Sequence, residues 1–165
     1  MSQEILDIVD VNNQIIGKDL RTRIHMRGYY HRSVHIFIIN SNDEIYIQKR
    51  NMEVGSYPGY YESSASGHLL SGENYDDAAK RELEEEIGIK DLKLKRLHTF
   101  PADKTSGHEF VTLYLGKYDD ILKIDKKEMK SGRFMRIDDI KKNLETMKFT
   151  PNFKRCFRWF IENGY

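Results

Sequence analysis

The sequence has a single cysteine, Cys156, in 165 residues. That excludes an internal disulfide and a thiolate metal site and fits a reducing compartment. Proline is scarce, 3 residues against 11 glycines, and no Pro/Gly/Ser-rich linker, repeat or low-complexity tract interrupts the chain. A disordered tail protein is thereby excluded and no domain boundary is visible. Excess charge is absent as well: 27 Lys+Arg against 26 Asp+Glu leave a net charge of +1, so no overall field exists to hold a nucleic-acid polymer or an anionic membrane. The longest strongly apolar run, Val34 to Ile39, is far below the ~20 residues of a membrane helix, and the opening MSQEILDIVD carries no signal-peptide pattern. With 39% apolar and 12% aromatic residues there is material for a core. The expectation is one cytoplasmic domain over 1–165.

Periodicity predicts the elements. Ile5 to Val11 and Gln14 to Ile16 flank Asn12-Asn13 as a hairpin covering a sheet edge. Val34 to Ile39 and Ile45 to Ile47, joined through Asn40 to Asp43, read as a buried hairpin at the sheet centre. Further strands are expected at Leu92, Leu94 and Leu97, at Phe110 to Tyr118 and at Phe134 to Ile137. Asn74 caps a helix through Ala79, Leu83 and Ile87 that stops at Gly88. Asp138 starts a second helix with Ile140, Leu144 and Met147 inward, and Thr150-Pro151 starts a third along Phe153, Cys156, Phe157, Phe160 and Ile161. A weaker helix is expected between Lys18 and Met26. Interleaved strands and helices indicate an α/β or α+β fold with helices covering a mixed sheet.

On a helical wheel Glu85 lies about 60° to one side of Glu82 and Glu86 about 40° to the other, so the three carboxylates share a face beside the apolar stripe. Glu84 falls on the far side. Exposed like charges at this spacing cost only about 0.2–0.5 kcal/mol per pair, so a solvated acidic face is the plain alternative. Glu85 and Glu86, however, stand at the negative end of the helix dipole, where a cation is favoured. An oxygen-only set of this kind suits Mg²⁺ or Mn²⁺.

The stretch GHLLSGENYDDAAKRELEEEIGI, 67–89, matches G-x(5)-E-x(7)-R-E-U-x-E-E-x-G-U (U, bulky apolar) at every fixed position, rarer by chance than about one in a million. In this it resembles the signature of the Nudix hydrolases. The resemblance implies an α/β/α sandwich with a mixed sheet, the signature forming loop, helix and loop. The implied activity is divalent-cation-dependent cleavage of a diphosphate bond in a nucleoside diphosphate linked to another moiety. Glu82, Glu85 and Glu86 then become metal ligands, joined by a carbonyl near Ser66, with Gly67, Glu73, Arg81 and Gly88 supporting and Arg81 paired to Glu73. Bound Mg²⁺ or Mn²⁺ would polarise the diphosphate and acidify a water, and Glu82 or Glu109 would accept the proton. The partner is a nucleotide-derived small molecule. The motif does not identify its substrate-binding residues.

HMRGYYHRSVHIFIIN, 25–40, and QKRNMEVGSYPGYYESSASGH, 48–68, resemble a Nudix subgroup close to the isopentenyl-diphosphate isomerases, in which a catalytic cysteine precedes the Gly-His pair. Here Ser66 stands at that position, a far poorer acid, and Gly107 stands where one of two glutamates is expected, leaving Glu109. These departures favour the hydrolase over the isomerase. A noncatalytic nucleotide-binding module is disfavoured by the intact carboxylate set. His25, His31, His35 and His68 are candidates for a second metal or a phosphate contact, with ordinary packing as the alternative. Tyr57, Tyr60, Tyr61, Phe100 and Phe110 are candidate stacking surfaces or plain packing.

Overall fold

The computed structural model describes residues 3–165. Its elements in chain order are β1 (Ile5–Val9), β2 (Ile15–Leu20), α1 (Arg21–Arg27), β3 (His31–Ile39), β4 (Glu44–Arg50), β5 (Tyr61–Glu62), β6 (Ala65–His68), α2 (Tyr75–Ile87), β7 (Lys95–Phe100), β8 (Glu109–Lys117), β9 (Met129–Arg136), α3 (Ile137–Asn143) and α4 (Pro151–Glu162). The central sheet runs β5-β4-β3-β8-β7, with β6 beside β3 and β9 beside β4. It is mixed, because β3 and β8 are parallel over their whole length while the other pairings are antiparallel. The fold is the expected α/β (α+β) sandwich.

β3 shows how the layers arise. Its side chains alternate between the two faces of the sheet. Val34, Ile36 and Ile38 meet Ala78, Ala79, Leu83 and Ile87 of α2, together with Tyr114. Phe37 and Ile39 meet Phe153, Phe157 and Phe160 of α4. Both helices are held at their starts by the predicted caps. Asn74 accepts the Asp77 N–H, Thr150 accepts the Phe153 N–H with Pro151 behind it, and α2 ends at Gly88 with φ 74°. On the α4 face the three preceding residues of β3 are His31, Ser33 and His35. The apolar core therefore stops halfway along the strand, and a polar cleft takes its place.

Several expectations are corrected. The β3–β4 hairpin pairs only at Ile39 and Ile45. Beyond the turn the strands part, β3 taking β6 and β8 as partners and β4 taking β5 and β9. Leu92 and Leu94 precede β7 and pack instead against Gly116, where a Cβ would overlap both. Gly67 and His68 close a strand, β6, rather than lying in a loop. The first hairpin is a separate two-stranded sheet, linked to the start of β3 by a bond from the Val9 N–H to the Tyr30 carbonyl. Its second strand runs on to Leu20, which delays α1 to Arg21. α3 starts at Ile137 and ends before Met147, and β9 begins earlier than expected. Among the described residues no helix is long and apolar enough to cross a membrane.

The α4 layer rests on stacked rings, Phe153 lying 4.6 Å from Phe149 and 5.8 Å from Phe157 between ring centroids. Phe153→Ala should destabilise the protein by about 3–5 kcal/mol through the cavity it leaves, measurable as a lower denaturant midpoint.

Candidate active site

A cavity of about 230 Å³ lies between the sheet and the start of α4, bordered by β3, β5, β6, the inward carboxylates of α2 and the first residue of β8. Glu82 and Glu86, one turn apart, reach it past β6. A Cβ on Gly67 would overlap the Glu82 carboxylate, so glycine at this position leaves room for that carboxylate against β6. Glu86 Oε2 accepts the Ser66 N–H at 3.1 Å and the Gln48 side-chain amide at 3.2 Å. Glu85 is not brought into the cleft. It lies more than half exposed at the rim, held by Arg81 at 3.2 Å.

Arg81 organises this corner. It binds both oxygens of Glu73 at 2.8 and 3.0 Å, Glu82 at 2.7 Å and the His68 carbonyl at 2.9 Å. Even so, burial pushes the Glu82 carboxyl up to about 7 against the pull of Arg81. Burial and the neighbouring Glu82 raise Glu86 well above the ordinary carboxylate range. Two buried carboxylates that cannot both ionise comfortably are a pair short of positive charge. A hard divalent cation matches their oxygen donors.

A second cluster lies along the β3–β8 register, which sets His31 opposite Glu109. Ligand nitrogens of His25, His31 and His68 lie within 4.8 Å of one another, and His68 Nε2 is 3.1 Å from Glu109 Oε1. The Tyr29 carbonyl, 2.8 Å from His31 Nδ1, requires the proton on that nitrogen. His31 Nε2 is buried, has no hydrogen-bond partner among the described residues and lies 3.6 Å from the Glu109 carboxylate. An unpartnered ring nitrogen beside a carboxylate is an arrangement that a shared cation or a shared proton satisfies. Burial, then the neighbouring His68 and His31, push His25 down to about 4, which favours a neutral ligand. Burial raises Glu109, but the neighbouring His68, with its hydrogen bond, and the nearby His31 outweigh it and hold the group well below the ordinary range.

The family model for the NUDIX domain matches residues 29–160. The chain belongs to the Nudix family. It is 28% identical over 159 residues to an uncharacterised Nudix hydrolase of Pseudomonas aeruginosa, covering 96% of this chain and 94% of that one. It is also 30% identical over 164 residues to an isopentenyl-diphosphate Delta-isomerase of Serratia proteamaculans, covering 96% and 88%. In fold it is similar to a crystal structure from Deinococcus radiodurans, with a TM-score of 0.84, 23% identity, and coverage of 94% of this chain and 98% of the other. The chain is a Nudix hydrolase by family, in a subgroup with isomerase relatives.

Several residues of this Nudix cleft escape sequence reading. Glu62, Glu128, Ser33, Thr150 and Asn152 line it, yet none belongs to the signature. His35 also lines it, its Nδ1 2.8 Å from Ser63 Oγ and 3.5 Å from Glu62, and burial holds its pKa low. Of the aromatic candidates only Tyr57 reaches the cleft, with Tyr60 against it at 5.3 Å. Tyr61 packs on Phe149, Phe100 lies in the core and Phe110 lies edge-on to Tyr30.

Raised carboxylates bind protons on folding, so they stabilise the protein below pH 4.5 and lose that contribution as pH climbs through their folded values, about 7 for Glu82. His25 and His35 act in the opposite sense below about pH 6.5. Above that only the carboxylates matter. The metal-free protein should melt lower at about pH 8 than at about pH 6.5, and saturating Mg²⁺ should abolish the difference. Thermal scans with and without chelator check this.

Proposed function

We propose that this Nudix hydrolase cleaves a diphosphate bond in a nucleotide-derived small molecule, with Glu82, Glu85 and Glu86 holding Mg²⁺ or Mn²⁺. The observation that carries the reading is the burial of Glu82 and Glu86 together beside β6, at Gly67 and Ser66. Such a cation, when bound, draws charge from the phosphate oxygens and acidifies the attacking water. Arg81 positions Glu82 and holds Glu85 at the rim, and Glu73 and the His68 carbonyl fix the guanidinium in turn. Water oxygen attacks phosphorus, its proton passes to a carboxylate, and the bridging P–O bond breaks to release the second phosphate. Of the two proton acceptors considered, Glu109 is already engaged by His68 through Oε1 and by Asn152 through Oε2. Glu82 accepts from Arg81 through Oε1 alone among the described residues, which supports it as the base. Glu109 then joins His25, His31 and His68 around a second divalent ion, for which imidazole and carboxylate donors suit Mn²⁺, Zn²⁺ or Fe²⁺.

The isomerase reading has one observation in its favour, this histidine cluster together with the relative that carries the name. Against it stand Ser66 at the cysteine position and the cleft wall itself. Glycines apart, Tyr57 and Pro151 are the only lining residues without a charged or amide, imidazole or aliphatic hydroxyl group. An isoprenoid tail gains about 0.8 kcal/mol per buried CH₂ only against apolar surroundings, and this wall supplies few.

Purified protein with Mg²⁺ or Mn²⁺ and a panel of nucleoside diphosphate derivatives, isopentenyl diphosphate included, should release phosphorylated products from the nucleotides. Dimethylallyl diphosphate formed without phosphate-bond cleavage overturns the proposal. Glu86→Gln should lower turnover by about a hundred-fold or more while the fold persists; unchanged metal-dependent activity places the ligands elsewhere. Metal analysis after dialysis against Mn²⁺ should show one equivalent fewer for His68→Ala than for wild type. Equal stoichiometry means the histidines hold no ion.

A further inference from the structure

The inner wall of the cleft is polar and partly unpartnered. Ser33 is 2% exposed and lines the cavity, yet its Oγ has no hydrogen-bond partner among the described residues. Across from it, in the first turn of α4, chemistry orients the Asn152 amide. Its nitrogen faces the Ser106 carbonyl at 3.1 Å and the Glu109 carboxylate at 3.4 Å, both acceptors. The oxygen therefore takes the remaining direction, and Oδ1 is buried without a donor among the described residues. Glu62, 6% exposed on the same cavity, accepts the Ser63 N–H through Oε1. Buried polar atoms are almost always satisfied, so unmatched ones beside a cavity point to what the cavity receives.

What they ask for is donors. Asn152 Oδ1 and the Glu62 carboxylate can only accept, and Ser33 Oγ can do either. A phosphate group brings acceptors and is repelled by Glu62 and Glu109. An alkyl tail leaves Ser33 Oγ and Asn152 Oδ1 unmatched. A nucleobase edge presents one or two N–H groups in a plane, whereas neighbouring hydroxyls each donate once and accept once at adjacent positions, on both β3 and α4. We infer that Ser33, Asn152 and Glu62 form a hydroxyl-recognising subsite, so that the half of the diphosphate seated there carries a sugar. The orientation of the diphosphate rests on the hydrolase reading, while the subsite stands on its own atoms.

The test is a substrate pair. ADP-ribose and the methyl ester of ADP share the adenosine and the charge of a diphosphate diester, and differ in the hydroxyls of the second half. Wild type should prefer ADP-ribose in kcat/KM. Ser33→Ala, which removes no internal hydrogen bond, should reduce that preference about ten-fold, the size of one lost hydrogen bond. Asn152→Leu should reduce it as well, and because the readout is a ratio, any general disturbance of Glu109 cancels. No preference in wild type, or a preference that Ser33→Ala leaves intact, overturns the subsite. Should wild type cleave neither compound nor any other diphosphate, the hydrolase reading falls by itself. Calorimetry with the same two ligands, then undisturbed by turnover, decides the subsite: tighter ADP-ribose binding that Ser33→Ala weakens supports it, and equal affinities overturn it.

Discussion

Glu82 and Glu86 are buried on one face of α2, close to its C-terminal end, both with raised proton affinity, that of Glu86 in part through Glu82. Helix dipole, burial and mutual repulsion all disfavour negative charge there. Packing tolerates the arrangement because Gly67 leaves room for the Glu82 carboxylate against β6, and Arg81 supplies a positive partner for Glu82. The apolar stripe of Ala79, Leu83 and Ile87 anchors the other side of the helix in the core. Stability contributed by that burial holds the carboxylates in a setting unfavourable to their charge.

The same division appears in β3. Its α2 face is apolar along Val34, Ile36 and Ile38, while its α4 face changes from Phe37 and Ile39 to His31, Ser33 and His35 within one strand. One half of that face completes the core and the other half floors the cleft. Because the strand is rigid, the polar side chains sit at fixed spacing, and β6 and β8 bring His68 and Glu109 to them by register.

Much of this was legible in the chain. Caps and four-residue spacing located α2 and α4, alternating and apolar runs located β3 and β8, and the signature pointed to the helix carboxylates. The remainder depends on contacts between distant segments. β6 is short and carries serine, glycine and histidine, which have no strand preference, and forms because β3 is free to pair beyond its hairpin turn. After Met129, β9 continues with Lys130, Ser131, Gly132 and Arg133, a polar run whose Gly132 is required by the Tyr46 hydroxyl resting against it. The histidines at 25, 31 and 68 show no ligand spacing in the sequence and meet only through α1, β3 and β6. Glu85 shares a helical face with its neighbours, yet Arg81 and the rim geometry keep it outside. Ser33 and Asn152 look like any neutral polar residues until the groups around them are counted.

The parallel ladder between β3 and β8 also governs when the cleft comes into being. Its strands flank the whole signature segment, so their pairing closes a long loop, the kind of contact that forms slowly. His25, His31 and His68 all precede α2 in the chain, whereas Glu109 joins them only once β8 has emerged and zipped alongside β3. Assembly of the candidate site is thereby tied to completion of the sheet, so a nascent or partly opened chain holds its histidines and α2 carboxylates without the fourth member of the histidine cluster.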